Sequence, residues 1–213
     1  MKDCKDLSDY HCPVCVEEDS NWVDLVENEE AYAYCMDGCP RGGKYDMARD
    51  VGLAWLHCCD YFFFEKDAIS LVEITQIRDA KITQRCLYRD VLDVIQAPAE
   101  RDFVEFLLFK HSIAAENVLK MYGSIIIINK FAQKCQAMHQ ALSDRGGKFN
   151  YQLVIYNKEK NNAINFEGFD NIKKAIEKKL CDKLKSNRNF GSVKIFPRQK
   201  IVEEINKNAN YNP

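Results

Sequence analysis

The chain has 213 residues, a net charge of −2, and is 46% hydrophobic, 11% aromatic and 29% charged, with only 9 Gly and 5 Pro. That is enough apolar material for a buried core without disulfide staples, and it excludes disordered, collagenous and low-complexity classes. The longest aliphatic run, Ile125–Ile128, is far short of the roughly 18 apolar residues of a membrane span, and the polar, acidic start carries no secretory or transit pattern, so a cytoplasmic protein with no membrane partner is expected.

Charge is unevenly spread. Residues 1–39 hold two lysines against eleven acids, or −9, leaving +7 for the remainder. The acidic head also holds four of the ten cysteines in two short knuckles, Cys12-Pro-Val-Cys15 and Cys35-Met-Asp-Gly-Cys39. Thiolates paired in this way can close a tetrahedral zinc site, since each tight turn aims two sulfurs at one point. A structural zinc at Cys12, Cys15, Cys35 and Cys39 is therefore expected, with free thiols or a redox pair as the alternatives. Residues 1–43 are taken as a small zinc-knuckle segment and residues 44–213 as the main α/β domain.

The main domain opens with a predicted helix over Tyr45–Cys58, where Met47, Val51, Ala54, Trp55 and Cys58 recur at helical spacing. Two β-rich runs follow, Cys59-Asp-Tyr-Phe-Phe-Phe and Ile69-Ser-Leu-Val-Glu-Ile-Thr-Gln-Ile; the polar turn between them makes a hairpin. Ile82–Ile95 and the stretch from Pro98 to Gly123 read as helices, the second ending at its glycine. Ser124-Ile-Ile-Ile-Ile-Asn129, apolar on both faces, is predicted as a central strand. Lys130–Ser143 reads as helix and Phe149–Tyr156 as strand. A Lys-rich helix follows, with Ile172, Ile176, Leu180 and Leu184 on its stripe, and Gly191–Phe196 is a last strand. The fold class is α/β, a mixed sheet flanked by helices.

Asp60 opens the first hairpin strand and Glu73 lies near the end of the second. Folding the hairpin at Glu65–Ala68 brings both carboxylates to one end of a sheet. There they could hold Mg²⁺ or Mn²⁺, which take oxygen ligands and can activate water against a phosphodiester. Two ordinary strand-end acids are the plain alternative. Off the apolar stripe of the basic helix stand Lys173, Lys174, Lys178, Lys179 and Lys183, a solvated face or a phosphate-binding one. His57 beside Cys58-Cys59 suggests a Cys–His nucleophile, but Cys58 falls on the apolar stripe, so a buried thiol is expected.

The succession of a helix, a hairpin bearing Asp60-Tyr-Phe-Phe-Phe and Ile69-Ser-Leu-Val-Glu73-Ile-Thr75, then helix and hydrophobic strand resembles the PD-(D/E)XK nuclease superfamily. The resemblance spans roughly residues 44–156. It implies an αβββαβ restriction-endonuclease-like core and a Mg-dependent DNA nuclease with Asp60 and Glu73 as metal ligands. The family's lysine two residues after the second acid falls at Thr75, and Cys59 rather than Pro precedes Asp60. Lys66, Lys81 or Lys130 could carry the lysine's role, with Lys81 and Lys130 as the catalytic candidates. Otherwise the resemblance implies an inactive nuclease-fold subunit that binds nucleic acid or partner proteins, for instance in an antiphage defence assembly.

Overall fold

The computed structural model describes residues 6–18, 21–26, 29–38, 46–76, 113–156, 169–184 and 187–213. A 3-10 turn, Leu7–Tyr10, is capped by Asp6 and leads into β1 (His11–Pro13), β2 (Cys15–Glu18), β3 (Asn21–Asp24) and β4 (Tyr32–Cys35). After a single helical turn, α1 (Met47–Asp50), the hairpin β5 (Tyr61–Phe64) and β6 (Ile69–Gln76) follows. Next come α2 (Ile113–Ala132), α3 (Gln136–Asp144), β7 (Phe149–Tyr156), α4 (Phe169–Leu184), β8 (Phe190–Phe196) and α5 (Arg198–Asn208). No helix among the described residues is long and apolar enough to cross a membrane.

Six strands form one mixed sheet in the order β1-β4-β5-β6-β7-β8, while β2 and β3 make a separate hairpin. β4, β5 and β6 run antiparallel, and β7 and β8 join in parallel. The α/β class with a helix-flanked mixed sheet is thus observed. The head is tied to this sheet directly, because Tyr34 and Cys35 of β4 pair with Phe62 and Tyr61 of β5.

Period-2 alternation divides the hairpin between two cores. Phe62, Phe64, Ile69 and Leu71 face one side and pack with Met121, Ile125 and Ile128 of α2 and with Leu180 and Leu184 of α4. Tyr61, Phe63 and Val72 face the other side and meet Ile201, Val202 and Ile205 of α5 and the buried Cys12 and Cys35.

Three elements differ from the sequence expectation. The helix expected over Tyr45–Cys58 is the single turn α1, broken where Gly52 takes φ 75°, a region open to glycine at no steric cost. Ser124–Asn129 is not a strand but the middle of α2. Met121, Ile125, Ile128 and Phe131 continue one buried stripe at steps of three and four, and Ile126 points outward, half exposed. A shared buried stripe outweighs the β preference of a four-isoleucine run. The helix expected over Lys130–Ser143 is interrupted at Gln133–Cys135, where α2 stops and α3 begins. The helices expected over Ile82–Ile95 and the first part of Pro98–Gly123 lie outside the described residues.

Candidate active site

Asp60 sits immediately before β5, and Tyr61 pairs with Val72, so one step further along the register Asp60 lies opposite Glu73. Directly opposed residues of an antiparallel pair point to the same face. Glu73 continues the apolar face of Ile69 and Leu71 toward α2 and is only 3% exposed. The Asp60 carboxylate folds across the strand end and accepts a hydrogen bond of 2.8 Å from the Ile74 backbone N–H.

The group that meets these acids comes from α2. Lys120 Nζ lies 2.5 Å from Glu73 Oε1, and the Glu116 carboxylate stands 3.6 Å from the same ammonium. Thr75 Oγ1 is 3.5 Å from Glu73 Oε1, while Glu73 Oε2 is buried with no hydrogen-bond partner among the described residues. Beside them Tyr151 donates to Asn117 Oδ1 at 2.5 Å in a buried contact.

Two features bring Lys120 here. Ser124 Oγ donates to the Lys120 carbonyl and accepts from the Cys59 N–H, both at 2.8 Å, so one hydroxyl clasps the lysine's helical turn to the residue before Asp60. One residue earlier, Gly123 lets the helix ride on the chain entering β5, where a Cβ would run into the His57 carbonyl oxygen.

The electrostatics follow from one cation serving two acids. Burial pushes the Glu73 carboxyl up, to about 8, and the charge of Asp60 adds to the rise while Lys120 opposes it. Burial likewise raises Asp60, to about 6, against the Ile74 hydrogen bond and Lys120. Desolvation works against the Lys120 ammonium, yet the attraction of Glu73 prevails and keeps it charged. Ionising both buried carboxylates beside a single cation is therefore costly, and a divalent cation would lower that cost by supplying the missing positive charge.

The oxygen-only donor set, two carboxylates at one sheet end with an orphan buried oxygen, fits Mg²⁺ or Mn²⁺, which need only one or two carboxylates and keep their remaining ligands as water or phosphate. Among the described residues no group of three or more His, Cys, Asp or Glu side chains converges as a metal set.

The other sequence candidates fall elsewhere. Lys66 is on the β5–β6 turn, at the opposite end of the hairpin from the acids, about 13 Å along the strand. Lys130 is ten residues beyond Lys120 on α2, about 15 Å along the helix. Lys81 and Cys39 lie outside the described residues. Cys12 and Cys35 are buried in the second core, and Cys15 is buried with its Sγ 3.5 Å from the Tyr61 hydroxyl. Lys174, Lys178 and Lys183 are exposed on α4, whose backbone also carries Lys173 and Lys179. Cys58 is buried as expected, and burial lifts its thiol to about 12, far from a ready nucleophile.

Sequence reasoning missed Lys120. Its one local mark is Glu116 four residues earlier, an ordinary helix pairing. Fold and site together define a mixed α/β protein with a buried two-carboxylate, one-lysine cluster at the end of a central hairpin. Compared with protein families, curated proteins and solved structures, the chain has no match.

Proposed function

We propose that this chain is a metal-dependent nuclease of the PD-(D/E)XK kind, in which Lys120 takes the role of the lysine absent at Thr75. The observation that carries this is the Lys120 ammonium held 2.5 Å from Glu73 on the α2 side of the acid pair. A cation delivered by a helix reaches the same carboxylates that a strand lysine would flank.

Asp60 and Glu73 are the ligands for Mg²⁺ or Mn²⁺. When bound, the ion supplies an activated water and neutralises charge developing on the scissile phosphate. Lys120, tethered by Glu73 and Glu116, is the fixed donor for a phosphate oxygen or the attacking water. Glu73 Oε1 orients the lysine and leaves Oε2 for the ion. The buried Tyr151–Asn117 hydrogen bond fixes α2 to β7 beside the acids. The substrate class is DNA, with the exposed Lys174, Lys178 and Lys183 offering backbone contacts.

The test is cleavage of linear, nicked and single-stranded DNA with Mg²⁺ or Mn²⁺, run beside calorimetric metal titration. Asp60→Ala should abolish metal binding and cleavage. Lys120→Met should lower cleavage about a hundredfold or more while metal still binds. Lys130→Ala should change neither. Retention of full cleavage by Lys120→Met would remove the lysine's role, and DNA binding without cleavage by the wild type across these substrates and ions would replace this proposal with a non-catalytic nuclease-fold subunit.

A further inference from the structure

At the other end of the hairpin a cavity of about 410 Å³ opens between the β5–β6 turn, the starts of β7 and β8, and the C-terminal end of α5. Lys66, Lys148 and Lys207 reach it from three different elements, and all three are exposed. None of these ammonium groups has an ion-pair partner among the described residues. Three unpaired like charges converging on one concavity repel one another, and an anion relieves that repulsion.

Of the two acids on the lining, Glu65 does not perform that service. Glu65 is turned inward: its Oε1 accepts from the Ser70 hydroxyl and from Gln152 Nε2 at 2.9 Å, and its Oε2 accepts from Asn150 Nδ2 at 2.9 Å. Its capacity is consumed by neutral donors, which leaves Asp67 as the other carboxylate on the lining. Asn150 is fixed from its other end as well, since Ser192 Oγ donates to Asn150 Oδ1 at 2.9 Å. A Cβ at Gly191 would crowd that same Oδ1 and the Phe149 carbonyl.

The walls are tied together too. Arg145 donates through Nε to the Glu65 carbonyl and through Nη2 to the Tyr211 carbonyl, each at 2.8 Å, which locks the hairpin turn to the C-terminal end of the chain. Tyr211 itself lines the cavity and is 41% exposed.

The volume lies within the range of small-molecule sites and far exceeds what an inorganic anion fills. Three lysines on the lining, together with Tyr211 and the Asn208 side-chain amide, supply chemistry that matches the parts of a nucleotide: phosphate, base face and base edge. We propose that this cavity is a nucleotide-phosphate site, filled by a free nucleotide or by the 5′-phosphorylated end of a strand. It is separate from the acid cluster, and its occupancy does not depend on the nuclease proposal.

Isothermal titration of the full chain with ADP, adenosine and inorganic phosphate at low salt provides the test. ADP should bind once per chain, and adenosine and phosphate each about tenfold more weakly or worse. The double variant Lys148→Ala/Lys207→Ala should lose about tenfold or more in ADP affinity. Lys200→Ala, on the same helix but paired with Glu203 at 3.1 Å, should leave it unchanged. Tyr211→Ala should weaken ADP and leave phosphate unaffected. A 5′-phosphorylated tetranucleotide that displaces ADP, where its unphosphorylated form does not, would assign the site to strand ends; failure of both to displace ADP would assign it to free nucleotides. No ADP binding at millimolar concentration, or wild-type affinity in the double lysine variant, overturns the site.

Discussion

Glu73 is the residue on which the acid cluster turns, because it is buried, shares a lysine with Asp60 and keeps one oxygen unsatisfied. Its folded-state pKa, about 8, lies above the ordinary value of 4.5, and that of Asp60, about 6, lies above 3.8. A carboxyl raised in this way favours the folded state while protonated. The contribution is complete below the ordinary pKa and is lost as pH rises through the folded one. Thermal or urea unfolding of the metal-free chain should accordingly show stability falling from about pH 4.5 to pH 8. Glu73→Gln should flatten that slope and raise the melting temperature at pH 8 while changing little at pH 5. Mg²⁺ should stabilise the wild type most at the alkaline end and have little effect on the variant. An unchanged pH slope in Glu73→Gln would mean that Glu73 is not the titrating group.

At the scale of elements, α2 decides whether the acids have a lysine. Its glycine and serine act together: Gly123 permits the close crossing over His57, and Ser124 completes it by hydrogen bonding the Cys59 N–H. Gly123→Ala should destabilise the chain by about 1–3 kcal/mol, the range for forcing extra volume into a packed contact. Ser124→Ala leaves a buried N–H without its acceptor and should cost about 1–3 kcal/mol. On the nuclease proposal, both should lower cleavage more than DNA binding, because they displace Lys120 and remove none of the α4 lysines. Melting curves and the kcat/KM ratio of each variant check this. The expected strand over Ser124–Asn129 concealed this arrangement. With a strand there, Gly123 would have been a helix stop and Lys120 a residue of a fraying last turn. As a continuous helix, the same residues make Lys120 a rigid, inward-facing group.

Across the whole molecule one sheet separates two cores, and the acid-bearing hairpin occupies its two innermost positions. Strands hydrogen bonded on both edges hold a constellation better than loops do, which suits a site that depends on side-chain placement. The far core is closed by α5, a helix not anticipated from the sequence although Pro197 precedes it and Ile201, Val202 and Ile205 mark its apolar side. Ile205→Ala should destabilise the entire chain by about 2–5 kcal/mol, the cost of a large-to-small change in a filled core. A single unfolding transition should persist, since Tyr61, Phe63 and Val72 on the hairpin share that core. A separate early transition in chemical denaturation would show instead that α5 and the head melt alone.

Local periodicity was enough for the hairpin, for β7 and β8, and for the buried Leu180 and Leu184 of α4, because each is written in neighbouring residues at steps of two or of three and four. The same hairpin pairing placed Asp60 and Glu73 together, since an antiparallel register follows from its turn. Lys120 lies 47 residues beyond Glu73 along the chain, and no spacing rule links positions so far apart in sequence. The identity of Ser124–Asn129 as helix or strand was equally undetermined locally, because a four-isoleucine run satisfies either period until a neighbouring surface selects one. The cavity beneath Lys66, Lys148 and Lys207 gathers residues from across the chain, and only tertiary packing brings their charges within reach of one ligand. Sequence fixes which segments can alternate or coil, whereas the cost of burying charge and backbone against a particular partner is incurred only once those segments meet.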